Sequence, residues 1–202
     1  MKLLLISDEE SPYLWEYFKP GMLDDVDAII SCGDLSPHYL SFLVTMCHAP
    51  LYYVHGNHDG RYEKTPPEGC VCIEDRIVKI GNLRVMGLGG CLRYSPGPHQ
   101  YTESQMMKRI LRLRWQLMLS KGVDIVVSHA PVRGIGDEEH ISHRGFEAFQ
   151  YLLKRYNPRY WFFGHVHTRY GGQKSRVYHS GETVLINACE RFMLEFDPDT
   201  RI

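Results

Sequence analysis

Five short apolar runs punctuate the chain: LLLIS (3–7), DAIIS (27–31), LYYVH (51–55), VDIVVS (123–128) and YWFF (160–163). Near-continuous runs of this length predict strands buried on both faces, as in sheets covered by helices. Helical patterns lie between several of them. Ser11-Pro12 opens a predicted helix over YLWEYF that Pro20-Gly21 ends, and Ser36-Pro37 opens another over HYLSFLVTM that stops before Pro50. The segment RIVKI-GN-LRVMGL (76–88) predicts a hairpin closed by Gly81-Asn82 in a primed turn. A helix is expected over Glu103–Ser120, with Met106, Met107, Ile110, Leu111, Leu113, Leu117 and Met118 at helical spacing and Lys108, Arg109 and Arg112 on a solvated basic face. Another is expected over His143–Tyr156, with Phe146, Phe149, Leu153 and Tyr156 on one stripe and Asn157-Pro158 as its stop. TVLIN (183–187) and FMLEF (192–196) read as closing strands, and the Pro-, Gly- and Tyr-rich stretch 92–103 reads as a substantial loop.

Strands alternating with helices make the chain α/β. At 202 residues, with 44% apolar and 23% charged positions, no internal repeat and no linker, residues 1–202 are expected to form one domain. With 23 basic against 24 acidic residues the net charge is −1, so no overall field draws in a nucleic-acid polymer or an anionic membrane. A small substrate held by local charge is the expected partner; oligomeric state is not encoded. Met1–Ile6 meets Asp8 too soon for a signal-peptide core, and no apolar stretch reaches membrane-spanning length, which predicts a cytoplasmic protein. The six cysteines, at 32, 47, 70, 72, 91 and 189, form no C-x-x-C pair and are expected as buried free thiols.

The chemistry is concentrated where the apolar runs end. They are followed in turn by Asp8-Glu9-Glu10, Gly33-Asp34, Gly56-Asn57-His58-Asp59, His129 and Gly164-His165-Val166-His167. In open α/β sheets ligands gather beyond the carboxyl ends of the strands, so neighbouring strands would point these groups into one crevice. Singly, each cluster reads as a turn or a cap; together they supply carboxylates, an amide oxygen and imidazoles. That set suits borderline ions such as Mn, Fe, Zn or Co, in sufficient number for two of them, and two close ions are a standard device for phosphate-ester hydrolysis.

These five ordered elements, Asp8, Gly33-Asp34, Gly56-Asn57-His58-Asp59, His129 and Gly164-His165-x-His167, resemble the motifs of the calcineurin-like metallophosphoesterases, from residue 3 to about 187. The resemblance implies a four-layer α-β-β-α sandwich of two mixed sheets, with a dinuclear metal site on the loops at the strand C-terminal ends. It implies that Asp8 and His167 hold one ion, that Asn57, His129 and His165 hold the other, and that Asp34 bridges them. The ions would be divalent or mixed-valence, Mn, Fe or Zn. It further implies hydrolysis of a small phosphodiester or phosphomonoester by in-line attack of a metal-bound hydroxide, with His58 as general acid. Asp59 either orients His58 or caps its turn. Because some relatives of this fold have lost catalysis, the alternative is a catalytically weak, metal-binding protein-interaction module.

One position departs from the family pattern, whose first motif reads D-x-H; here the third position is Glu10. Strand alternation sends positions 8 and 10 to one side and Glu9 to the other, which makes Glu10 a candidate metal ligand in place of the histidine. The competing reading puts Glu10 on the N-terminus of the helix beginning at Ser11-Pro12, or on a metal-bound water. The loop residues Arg93, Tyr94, His99 and Tyr101, together with Arg144 in the segment 134–146, are expected near the crevice, Arg93 or Arg144 as a phosphate partner or as a loop anchor.

Overall fold

The first apolar run shows why these strands carry no polar face. In the computed structural model, which describes residues 1–167 and 175–199, it forms β1 (Lys2–Ser7). Leu3 and Leu5 pack toward a second sheet, against Val85, Ile125, Val127, Phe162 and Ile186. Leu4 and Ile6 point the other way, toward Tyr39, Leu40 and Leu43 of a helix. Both faces of the strand are therefore covered, and the two-residue period of the backbone divides one apolar run between two cores.

Along the chain follow β2 (Ala28–Ser31), α1 (Pro37–Met46), β3 (Leu51–Tyr53), β4 (Val71–Cys72), β5 (Arg76–Ile80) and β6 (Leu83–Leu88). Then come β7 (Cys91–Leu92), β8 (Gln100–Tyr101), α2 (Glu103–Arg112), α3 (Arg114–Leu119), β9 (Ile125–Ser128) and α4 (Glu147–Tyr156). The last strands are β10 (Tyr160–Phe163), β11 (Val177–Ser180), β12 (Thr183–Asn187) and β13 (Glu190–Glu195). One sheet has the order β13-β1-β2-β3-β4 and the other β11-β12-β10-β9-β6-β5, with β7 and β8 as a separate pair. Both large sheets are mixed: β13, β11 and β5 run antiparallel to their neighbours, and the strands between them are parallel. A third core, including Trp161, Phe163, Met106, Ile110, Phe149 and Leu152, joins the second sheet to α2 and α4. The layers are thus helix, sheet, sheet, helix, the four-layer sandwich of two mixed sheets expected from the sequence. No helix among the described residues is long and apolar enough to cross a membrane.

Local structure departs from expectation where tertiary contacts outweigh periodicity. The helix expected over YLWEYF is only a 3-10 turn at Pro12–Leu14. Ser11 does not cap it but gives its hydroxyl to Glu190 Oε1 (2.8 Å), and Trp15 and Phe18 fold edge-on against Phe42 of α1 (4.9 and 5.5 Å). The 103–120 segment breaks at Leu113 into α2 and α3, where the Leu113 amide reaches back to the Ile110 carbonyl and both Leu113 and Leu117 stay buried. The 143–156 helix begins only at Glu147, because Ile141–His143 forms its own 3-10 turn; Glu103 accepts the Glu147 and Ala148 amides at its N-terminus (2.9 Å each). The 76–88 hairpin forms as predicted, with Gly81 at φ +58°.

Arg109, assigned from the sequence to a solvated face, is 6% exposed. Its guanidinium bonds Glu74 Oε1 (2.7 Å), Asp75 Oδ1 (2.9 Å) and the Gly89 carbonyl (2.8 Å), and stacks on Tyr101 (4.3 Å). One cation thereby ties α2 to the strand ends at Glu74 and Gly89. Replacing it with an apolar side chain removes one of the two side chains that meet the Glu74 carboxylate and leaves it to His55 (2.5 Å). Arg109→Met is therefore expected to cost about 3 kcal/mol of unfolding free energy, to be read as a shifted denaturant midpoint at unchanged slope.

Candidate metal centre

The strand ends turn sharply, and this places the donors. Asp8 after β1, Asp34 after β2 and His165 after β10 all adopt left-handed backbone, at φ 64°, 60° and 67°. Such conformations cost a non-glycine residue on the order of 1 kcal/mol or more, and they cluster where a fold holds side chains for function. The neighbouring glycines make room. A Cβ on Gly56 would stand 2.0 Å from Asp34 Oδ1, and one on Gly164 would stand 2.5 Å from Asp8 Oδ2.

At the centre lie His129, which is fully buried, and His165. His129 Nδ1 bonds the Cys32 carbonyl (2.9 Å) and His165 Nε2 the Ser142 carbonyl (2.5 Å). A carbonyl only accepts, so each outer nitrogen carries its ring's proton and the inner one is left as a lone pair. Those inner nitrogens, His129 Nε2 and His165 Nδ1, face each other at 3.0 Å. Asp34 Oδ2 lies 3.2 Å from His129 Nε2, and Asn57 Oδ1 lies 3.0 Å from it. The Asn57 amide nitrogen donates to the Tyr94 hydroxyl (3.2 Å), which fixes the carbonyl oxygen inward. With both rings neutral, four acceptors from four strand ends thus converge with no donor among them.

The electrostatics follow from that crowding. Burial alone would lower the His129 pKa, yet Asp34 beside it lifts it to about 9. His165, buried next to His129, falls to about 3. Burial also works against ionised Asp34, but the His129 imidazole and the His58 amide hold its carboxyl well below the usual range. Without a cation, the convergence is met by one proton on His129. Borderline divalent ions take imidazole, carboxylate and amide oxygen donors, and the outer hydrogen bonds to Cys32 and Ser142 are the kind that orient metal-binding histidines. The residues present fit a metal ion.

The remaining expected residues surround this group. Asp8 accepts the His165 amide through both oxygens (3.0 and 2.9 Å); burial raises its pKa, and its charge is felt by Asp34, His129 and His167. His58 is exposed, with its backbone amide on Asp34 Oδ1 (2.7 Å). Asp59 does not face His58: its Oδ2 accepts the Gly56 and Asp34 amides (2.8 Å each), so it caps the turn and ties two motifs together. Arg93 bonds the Gln100 carbonyl and Gln105, and Arg144 the Glu139 carbonyl, so both anchor loops.

Glu9 and Glu10 stand on the opposite sides from those that alternation assigns. β1 ends at Ser7 and Asp8 is left-handed, so the two-residue period stops before it reaches them. Glu10 Oε1 accepts the Ser36 amide (3.3 Å) at the N-terminus of α1, whereas Glu9 Oε1 lies 3.0 Å from His167 Nδ1. A hydrogen bond to Cys189 and the Glu9 carboxylate lift the His167 pKa to about 9, against burial. Cys189 follows β12, which runs parallel to β10, so the strand-end rule applied to TVLIN points to it; for Glu9 the sequence pattern points the wrong way.

The sequence matches the calcineurin-like phosphoesterase family over residues 2–169. The UPF0046 protein T07D4.2 of Caenorhabditis elegans is 26% identical over 121 residues, which cover 59% of this chain and 28% of that protein. The lariat debranching enzyme of Schizosaccharomyces pombe is 28% identical over 157 residues, covering 58% of this chain and 33% of the enzyme. The chain therefore spans about a third of the length of these curated relatives. The crystal structure of TT1561 from Thermus thermophilus has the same fold, with a TM-score of 0.59 at 17% identity over 94% of this chain and 89% of the other. Since the match runs through all five strand ends of the motif series and across most of the sequence, the chain belongs to the calcineurin-like phosphoesterase family.

Proposed function

We propose that this protein hydrolyses a small phosphate ester at a two-cation centre in which Asp34 is shared, with Asn57, His129 and His165 on one side and Asp8 and His167 on the other. The observation that carries this reading is the convergence of Asp34, Asn57, His129 and His165, all acceptors once the rings are neutral, since such a pocket is stable with positive charge at its centre, be it a proton on His129 or a metal ion. When bound, two ions supply Lewis-acid polarisation of the phosphate and activation of a water.

The chain's own groups do the rest. His58 is tied to the pocket by its backbone bond to Asp34, and its ring is exposed, so we assign it to the leaving group. A proton passed from His58 to the departing alkoxide completes the cleavage. Tyr94 on Asn57 and Ser142 on His165 bring the 92–103 and 134–146 segments to either side of the pocket. Walls of that kind favour a compact ester over a long polymer, in keeping with the net charge of −1. The similarity to a lariat debranching enzyme makes a branched nucleic acid the competing substrate to assay.

Chelation should abolish hydrolysis of p-nitrophenyl phosphate or bis-p-nitrophenyl phosphate, and Mn, Fe(II), Zn or Co should restore it; inactivity with all four would leave the binding-module alternative. His58→Ala should lower the rate on an alkyl phosphate ester by roughly 10²- to 10⁴-fold. It should affect p-nitrophenyl esters far less, because that leaving group departs without a proton, and metal content should not change. Glu10→Ala should slightly lower thermal stability through α1 and leave metal content intact. Loss of one ion per chain from that variant would instead return Glu10 to the ligand set.

A further inference from the structure

Cys189 differs from the other fully buried thiols. Cys32, Cys47 and Cys91 each sit inside one of the apolar cores, whereas Cys189, 1% exposed, belongs to none of them. Its neighbours are a carboxylate and an imidazole. The Sγ atom lies 4.0 Å from Glu9 Oε1, which is 3.0 Å from His167 Nδ1, and the three donor atoms fall within 4.8 Å of one another. In a tetrahedral zinc site with bonds of about 2.0–2.3 Å, neighbouring donors stand about 3.3–3.6 Å apart. The spacings seen here bracket that range.

The three groups are held from separate directions. Glu9 follows β1 and His167 follows β10. Cys189 is fixed after β12, where its amide donates to Asn187 Oδ1 (2.9 Å) and its carbonyl accepts from the Arg176 guanidinium. Asn187 in turn donates to the Val166 carbonyl (2.8 Å), which locks the cysteine segment to the turn that carries His167. Asp8 is near enough to both groups for its charge to act on His167 as well as on Asp34 and His129.

We propose that Glu9 and Cys189 are metal donors beside His167, so that the first cation position is a thiolate site. The inference rests on the two-cation reading and deepens it. Coordination replaces the thiol S–H bond with a sulfur–metal bond and releases one proton to solvent. A thiolate favours zinc, cobalt or ferrous iron over manganese or magnesium at this position.

The test loads the full chain with cobalt(II) and records the near-ultraviolet spectrum alongside metal content. Wild type is expected to hold two cobalt ions per chain and to show a sulfur-to-cobalt charge-transfer band. Cys189→Ser should lose the band, and Cys189→Ser and Glu9→Gln should each retain about one ion at the Asp34, His129 and His165 pocket. Cys70→Ser, altered at a half-buried thiol in another part of the chain, should keep the band. Zinc K-edge absorption of the wild type checks the same point without any variant, and a sulfur shell at about 2.3 Å is expected. Two bound ions with no sulfur signature, or a band that survives in Cys189→Ser, would overturn the thiolate site and leave the two-cation reading standing. Failure of wild type to bind cobalt or zinc at all would overturn both.

Discussion

Two imidazoles turn their inner nitrogens on each other at 3.0 Å because their outer nitrogens are tied to backbone carbonyls. That arrangement constrains everything around it. The Cys32 carbonyl that orients His129 belongs to the end of β2, and the Ser142 carbonyl that orients His165 belongs to the segment before α4. The two sheets must therefore be packed face to face, with their parallel strands ending at one edge, before the pocket exists at all.

The turn chemistry at that edge serves the same end. Asp59 takes amides from both Gly56 and Asp34, so the β2 and β3 ends move as one unit, and Asp8 does the same for β1 and β10 through the His165 amide. Each of these carboxylates sits where a helix or turn would accept an ordinary cap. They act as struts between motifs that are far apart in sequence, Asp8 and His165 being separated by 157 positions. Strained backbone at Asp8, Asp34 and His165 is held in place by these bonds.

Much of this was legible in the sequence, and the exceptions share a cause. Apolar runs reported β1, β2, β3, β9 and β10 because strands buried on both faces carry no polar register to obscure them. The residues after those runs reported the pocket because parallel strands end together. Alternation failed at Glu9 and Glu10 because a single left-handed residue resets the face that each side chain takes. The helical period failed at Arg109 because a charged side chain on an amphipathic helix is read as solvated unless its buried partners, here Glu74 and Asp75, are known. Both signals are tertiary. The short strands β4, β7 and β8, each only two residues long, carry too few positions for any period to show.

Charge balance links the two halves of the centre. With Asp8, Glu9, Asp34 and a Cys189 thiolate as anionic donors, two dications would leave the pocket close to neutral. The rest of the chain is nearly balanced, since the whole sequence, these three carboxylates included, carries a net charge of −1. The two positions would then differ in character. The one lined by Asn57, His129 and His165 has only neutral donors beyond the shared Asp34, whereas the one lined by Asp8, Glu9, Cys189 and His167 gathers most of the negative charge. Anionic donors reduce the Lewis acidity of the ion they hold. The neutral-donor position would therefore be the stronger electrophilic pole for a phosphate oxygen, and the proposed thiolate position the more firmly anchored one. On that reading His58 would stand on the side of the stronger pole, since its amide bonds Asp34 and its chain neighbour Asn57 approaches His129.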